Sequence, residues 1–124
     1  MRQLLTLKKN FEFQKVFKKG KWYGGDFLCI YVLPTKKGEN YIGIAVSKRF
    51  SKSSVKRNRV RRLIRESFRI HQDSIFKGYH IVIVLKADVL FEQVNFHVIE
   101  QDLIKCFNKA GIWITKEGQD GCYC

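Results

Sequence analysis

Acidic residues are scarce in this chain: eleven aspartates and glutamates stand against 24 lysines and arginines in 124 residues. The acids are also scattered, so the carboxylate cluster expected of a protein-borne, metal-dependent nuclease is missing. His71, His80 and His97 share no metal-ligand spacing. Ser47 and Ser51 to Ser54 precede a helical pattern, where capping is their ordinary role. No catalytic site is read in the protein. Long apolar runs are lacking too, and no stretch approaches the length that spans a bilayer. The opening "MRQLLTLKKN" has too short an apolar core for a secretory signal and no small-residue cleavage site, so the expected location is cytoplasmic. The four cysteines, Cys29, Cys106, Cys122 and Cys124, form no C-x-x-C pair, and the closing "CYC" is too tight for a zinc knuckle. They are expected as reduced thiols, with Cys29 and Cys106 packing as small apolar groups. Repeats and low-complexity linkers are absent, which leaves one domain over residues 1–124 with an indistinct tail after 112.

What is present is positive charge and enough apolar material for a modest core. A formal net charge of +13 names a class of partner, nucleic acid first and an anionic membrane second. With 45% apolar and 14% aromatic residues, the composition is that of a folded chain.

The charge is concentrated. "VKRNRVRRLIRESFR", Val55 to Arg69, carries seven basic residues and one acid, Glu66. Val60, Leu63, Ile64 and Phe68 recur at helical spacing and, with Ser67, fill one arc. Asn58, Arg61, Arg62, Arg65 and Arg69 fill the opposite arc, with Arg59 and Glu66 at its edge. Like charges one helical turn apart repel by a few tenths of a kcal/mol, and a solvated face normally mixes signs to avoid this. An unmixed face points to a polyanion. A peripheral membrane helix would instead need its apolar arc free for lipid, and here that arc is needed for the core.

Around this helix the periodicity predicts an order α-β-β-β-α-β-α, a small α+β sandwich with helices on a mixed sheet. Asn10 to Gly20 reads as a short helix, with Asn10 as N-cap and Gly20 as stop. Lys21 to Tyr23 is a short extended piece. Asp26 to Leu33 and Tyr41 to Ser47 read as strands, the second antiparallel to the first because the connection is short. The basic helix runs from about Ser54 to His71, with His71 on its apolar side as a satisfied boundary histidine. Tyr79 to Leu85 is a central strand. A last helix runs from near Asn95 to Gly111 with Phe96, Ile99, Leu103, Ile104 and Phe107 as its buried stripe.

Phe13 and Phe17, one helical turn apart among lysines, admit two readings: ordinary core, or one wall of an aromatic platform for single-stranded bases. Phe27 and Tyr31 on the following strand form a second aromatic row. Composition does not choose between these readings.

"LKKNFEFQKVFKKG", "IGIAVSKRF" and "KRNRVRRLIRESFR" together resemble the protein subunit of bacterial ribonuclease P, from Leu7 to about Leu85. The core of the resemblance is Arg57-Asn58-Arg59, followed at the family's spacing by Arg61, Arg62 and Arg65. The resemblance implies a ribonucleoprotein endonuclease whose catalytic RNA, using magnesium, removes the 5′ leader of precursor tRNA. The magnesium is assigned to the RNA subunit, with no metal ligand assigned in the protein; neither a membrane nor an obligate protein partner is expected. The catalytic-RNA-binding set carried over by position is Arg57, Asn58, Arg59, Arg61, Arg62 and Arg65, with Lys48 and Arg49 at its edge. The leader-binding cleft is Phe13, Phe17, Cys29 and Tyr31. A left-handed βαβ crossover is implied as well, against the usual hand. The chain departs from the family pattern in two places. The segment from Ser47 to Arg57 is one residue longer, with Ser51 where glycine is usual, which implies a bulged loop. Cys29 is smaller than the residue common at its place. The alternative of a different kind is a stand-alone basic RNA-binding or ribosomal protein with no role in cleavage.

Overall fold

The computed structural model describes residues 4–36 and 38–114. Cys122, Cys124 and the rest of the tail from residue 115 lie outside the described residues. Helix α1 spans Asn10–Lys19, strand β1 Lys21–Gly24, β2 Leu28–Pro34 and β3 Tyr41–Ala45. Helix α2 spans Ser54–His71, β4 Tyr79–Leu85 and α3 Phe96–Ala110. Short 3-10 turns at Gln72–Ser74 and Phe91–Gln93 complete the order, which is the α-β-β-β-α-β-α of the sequence pattern.

The four strands form one sheet in the order β1-β2-β4-β3. Strand β4 pairs antiparallel with β2 and parallel with β3, so α2 is the crossover of a βαβ unit. Strands β2 and β3 therefore run in opposite directions, as their short connection predicts, but they do not pair: β4 lies between them. Its unbroken apolar run explains the insertion, because Ile81, Val82 and Ile83 are fully buried and need cover on both faces.

One face is covered by α2 and α3. Leu28, Ile30, Val32, Ile42, Ile81, Ile83 and Leu85 pack there against Val60, Ile64 and Phe68 of α2 and Ile99, Leu103 and Phe107 of α3. The expected stripe of α3 is shifted. Phe96 and Ile104 are only half-buried, while Asp102 and Cys106 are buried beside Ile99, Leu103 and Phe107. The opposite face carries a smaller cluster of Leu7, Val16 and Val82 with Phe13, Phe17, Tyr31, Leu33, Tyr41 and Val84, under α1 and the short segment before it, whose Leu7 amide donates to the Ile42 carbonyl at 2.8 Å.

Local signals set the helix ends. Ser53 caps α2 by accepting from the Lys56 amide at 3.3 Å, and Asn95 caps α3 by accepting from Val98 at 2.9 Å. Gly111 ends α3 in the left-handed conformation, φ 74°. At α1 the expectation fails. Asn10 is the first helical residue and Lys9 is the N-cap; the carboxylate of Glu12 instead accepts from the Lys8 and Lys9 amides, both at 3.0 Å. A glutamate in the first turn can reach back to those amides and also meets the positive end of the helix, leaving no need for an Asn cap.

Cys29 and Cys106 are free and buried, as small apolar groups should be. Burial, reinforced by the neighbouring Asp102 carboxylate, pushes the Cys106 thiol up to about 12. His71 Nε2 lies 2.8 Å from Glu100 Oε2, a partnered boundary histidine joining α2 to α3.

Asp102 is the polar group with most at stake. It is 5% exposed on α3, and its carboxylate accepts from the amides of Asp26, Phe27 and Leu28 at 2.8, 3.0 and 2.7 Å. That clamp fixes the turn joining β1 to β2. Truncation to alanine strands three backbone donors in a partly dry site, so Asp102→Ala is expected to lower stability by about 2–4 kcal/mol. Asp102→Asn, which keeps one acceptor oxygen, should fall between. Urea unfolding of the two variants checks this, and equal stability of Asp102→Ala and wild type would remove the clamp from the account.

Candidate nucleic-acid interface

The arginine arc of α2 is where periodicity puts it. Val60, Ile64, Ser67 and Phe68 are buried and Leu63 is half-buried, while Asn58, Arg59, Arg62 and Arg65 are exposed. The structure divides the expected set. Arg57 and Arg61 are half-buried and tied to the protein: Arg57 Nη1 donates to the Ser51 carbonyl at 2.9 Å. Arg61 Nη1 donates to Asn58 Oδ1 at 2.8 Å, and its Nη2 reaches the Val46 carbonyl at 3.5 Å. These two brace the helix against the loop and the end of β3. Arg69 is paired with Glu66 through Nε–Oε1 at 3.2 Å and a second, shorter hydrogen bond. That pairing lowers the Glu66 carboxyl below its usual range.

Lys48 and Arg49 are exposed on the turn that follows β3, closed by the Phe50 amide on the Ser47 carbonyl at 3.1 Å. Ser51 sits without positive φ, and its hydroxyl accepts from the Ser53 amide at 3.1 Å. A side chain that bonds its own loop can take the place of a left-handed glycine turn, so the segment between β3 and α2 closes on ordinary backbone geometry.

The expected cleft residues share the other face of the sheet. Tyr31 and Phe17 meet edge to face, ring centroids 4.9 Å apart at 85°. Phe13 lies on Gly43: a Cβ at that position would stand 2.4 Å from Phe13 Cε2. Phe13, Phe17 and Tyr31 are half-buried, so each ring is seated in the cluster yet reachable. Cys29 is 8% exposed and offers little surface. Phe27 packs with the opposite core and has no part in this face.

The two surfaces meet. A cavity of about 180 Å³ at the β3 edge is lined by Leu7, Phe13 and Gly43 from the cleft side, by Ile42 and Ile44 from the other face of β3, and by Arg61 and Arg65 from α2. Gly43 is legible as a glycine inside a strand pattern, the usual mark of a close approach. The junction it makes with α2 is not, because it depends on β3 being the strand next to that helix. Among the described residues no three His, Cys, Asp or Glu gather as a metal site, and no helix is long and apolar enough to cross a membrane.

Fold and site define a class: a basic α/β sandwich in which a cationic helix borders an aromatic-lined sheet face. The sequence profile of the Ribonuclease P family matches residues 1–111. The chain is 36% identical over 118 residues to the ribonuclease P protein component of Caldanaerobacter subterraneus subsp. tengcongensis, covering 94% of this chain and 99% of that one. It is 39% identical over 116 residues to that of Clostridium perfringens, covering 88% and 90%. Among solved structures, the Staphylococcus aureus RNase P protein superposes with a TM-score of 0.78 at 26% identity, covering 90% of this chain and 99% of that one. The Thermotoga maritima RNase P protein superposes with a TM-score of 0.73 at 26% identity, over 87% and 97%. The chain belongs to the ribonuclease P protein family. Membership implies involvement in an endoribonuclease complex with an RNA subunit and a tRNA substrate.

The exposed and braced arginines separate in a salt titration. Arg62→Ala/Arg65→Ala removes two exposed cations and should leave the melting temperature near wild type. The slope of log affinity for RNA against log salt should flatten by about 0.7–0.9 for each phosphate that is no longer neutralised. An unchanged slope in the folded double variant would move RNA binding off this helix.

Proposed function

We propose that the exposed arc of α2, with Arg57 and Arg61 bracing it and Lys48 and Arg49 at its edge, docks the chain on the catalytic RNA of ribonuclease P. The aromatic sheet face of Phe13, Phe17 and Tyr31, with Cys29 beneath, holds the single-stranded 5′ leader of precursor tRNA. The observation that carries this reading is the shared cavity between Phe13 and Arg61/Arg65, which makes the cationic and aromatic surfaces neighbours. One RNA assembly can then occupy both, the duplex-rich part on the cations and the unpaired strand on the rings.

On this reading bond cleavage and its magnesium ions belong to the RNA. The protein contributes cations beside phosphates and a grip on the substrate that the RNA lacks, in the cytoplasm and without an obligate protein partner. The catalytic RNA alone should therefore cleave precursor tRNA slowly at high magnesium, and the chain should lower that magnesium requirement. Cleavage of precursor tRNA at the mature 5′ end by RNA-free protein would replace this reading with a protein-only enzyme. Copurification with ribosomal RNA and no effect on cleavage would favour the stand-alone RNA-binding reading.

Phe17→Ala tests the cleft. Binding of precursor tRNA with a leader should weaken by up to about 1–3 kcal/mol, the worth of one stacked base, while mature tRNA and catalytic RNA bind as before. If Phe17 is ordinary core, its removal should instead cost about 3–5 kcal/mol of stability without dependence on the leader. Thermal melting and leader affinity of the same variant distinguish the two outcomes.

A further inference from the structure

Trp22 is the largest side chain that the chain leaves open, 55% exposed on the edge strand β1. Neither burial nor the sequence pattern accounts for it. Its place in the register does. Trp22 stands opposite Tyr31, Tyr31 opposite Val82, and Val82 opposite Gly43, so these four form one row across the whole sheet. Directly opposed residues project to the same face, which here is the face under α1. Phe17 sits on Tyr31 and Phe13 on Gly43 in the same row. The aromatic rings therefore run from the arginine helix at the β3 side to Trp22 at the far edge, three strand spacings or about 14 Å away.

The indole is also held in place. A Cβ on Gly24 would stand 2.4 Å from Trp22 Cη2 and 2.6 Å from Cζ2, so the six-membered ring lies across Gly24, two residues along the same strand face. A bare glycine as seat leaves one ring face packed and the rest open. Exposed Lys18 and Lys19 end α1 just before β1 and supply positive charge close by in the chain.

We propose that Trp22 is a further stacking platform for a base of single-stranded RNA, extending the aromatic cleft to the outer edge of the sheet. The inference rests on the leader reading above. Because Trp22 lies farthest from the arginine helix, it takes leader nucleotides distal to the cleavage site. A second copy of this chain is the less suited occupant: β1 is four residues long and opens with an exposed lysine, both features that discourage edge pairing.

The test uses the full chain reconstituted with its catalytic RNA, and precursor tRNAs whose leaders lengthen one nucleotide at a time. Wild-type affinity should rise in steps. Trp22→Ala should keep the early steps and lose a later one, binding long leaders roughly tenfold or more weakly, while short leaders and mature tRNA are unaffected. Trp22→Phe, which keeps a ring, should restore most of the missing step. The melting temperature should hardly move, since the ring covers no core. If Trp22→Ala follows wild type at every leader length while Phe17→Ala is impaired, the Trp22 platform is overturned and the cleft stands. If Phe17→Ala is also unimpaired, the leader reading of this face fails and the platform falls with it. An equal loss for mature and precursor tRNA, or self-association that Trp22→Ala abolishes, would also overturn the platform.

Discussion

Strand β4 must be covered on both faces, and the helices of the described residues do this unevenly. Ile81 and Ile83 face α2 and α3, helices of 18 and 15 residues on one side of the sheet. Val82 and Val84 face α1, which has 10. A helix of that length reaches about 15 Å, whereas a seven-residue strand alone spans roughly 23 Å. One short helix therefore hides Val82 and leaves the flanking parts of the face to side chains that tolerate partial exposure. Tyr31 on β2 is such a side chain, and Phe13 and Phe17 at the flank of α1 meet the same need, apolar enough to seal the cluster and flat enough to present a surface. The cleft is what remains when a two-sided sheet is closed unequally.

The same core makes the charged helix tolerable. Val60, Ile64 and Phe68 are each no more than 1% exposed. Burying a side chain of that kind is worth about 1.5–3 kcal/mol, against a few tenths for each like-charge pair on the outer arc. Packing wins by a wide margin, and the helix forms with its arginines already aligned. Two of them then serve as braces: Arg57 on the Ser51 carbonyl and Arg61 on that of Val46. This division is the difference between a flexible basic tail and a cationic face of fixed shape.

Much of this is legible in the sequence, for physical reasons that differ by element. Periodicity predicts helix α2 over Ser54 to His71 and it is observed there, because an 18-residue run with one apolar arc has a single way to fold onto a core. The family resemblance, carried by Arg57-Asn58-Arg59 and its neighbours, is shown by the comparisons with known proteins. Strand order is not legible. The short β2–β3 connection suggests neighbours, yet β4 enters between them, and pairing of that kind depends on burial across the whole sheet. The Asp102 clamp is hidden for a related reason: a carboxylate within an apolar stripe looks like surface until the three amides of the Asp26–Leu28 turn arrive from 74 to 76 residues away. The Asn10 cap fails on competition, since Glu12 satisfies the same amides from inside the helix.

A tryptophan in a four-residue strand carries no period of its own, so nothing local marks Trp22. Its meaning comes from three successive registers, and each is fixed by something remote from it. Gly43 is set beside β4 by the crossover through α2. Tyr31 is set beside β4 by an antiparallel ladder of seven residue pairs, Leu28–Leu85 to Pro34–Tyr79. Trp22 is set beside Tyr31 by the β1–β2 turn that Asp102 holds. A one-residue slip at any of these would turn its side chains to the other face and break the row. The spacing between the arginine helix and the outer ring is thus a property of the sheet as a whole. On the proposed reading, a strand lying along that row would be positioned relative to the docked RNA by the sheet and not by any one contact. A carboxylate buried on α3, on the opposite side of the sheet, would then help to hold the far end of the cleft in register.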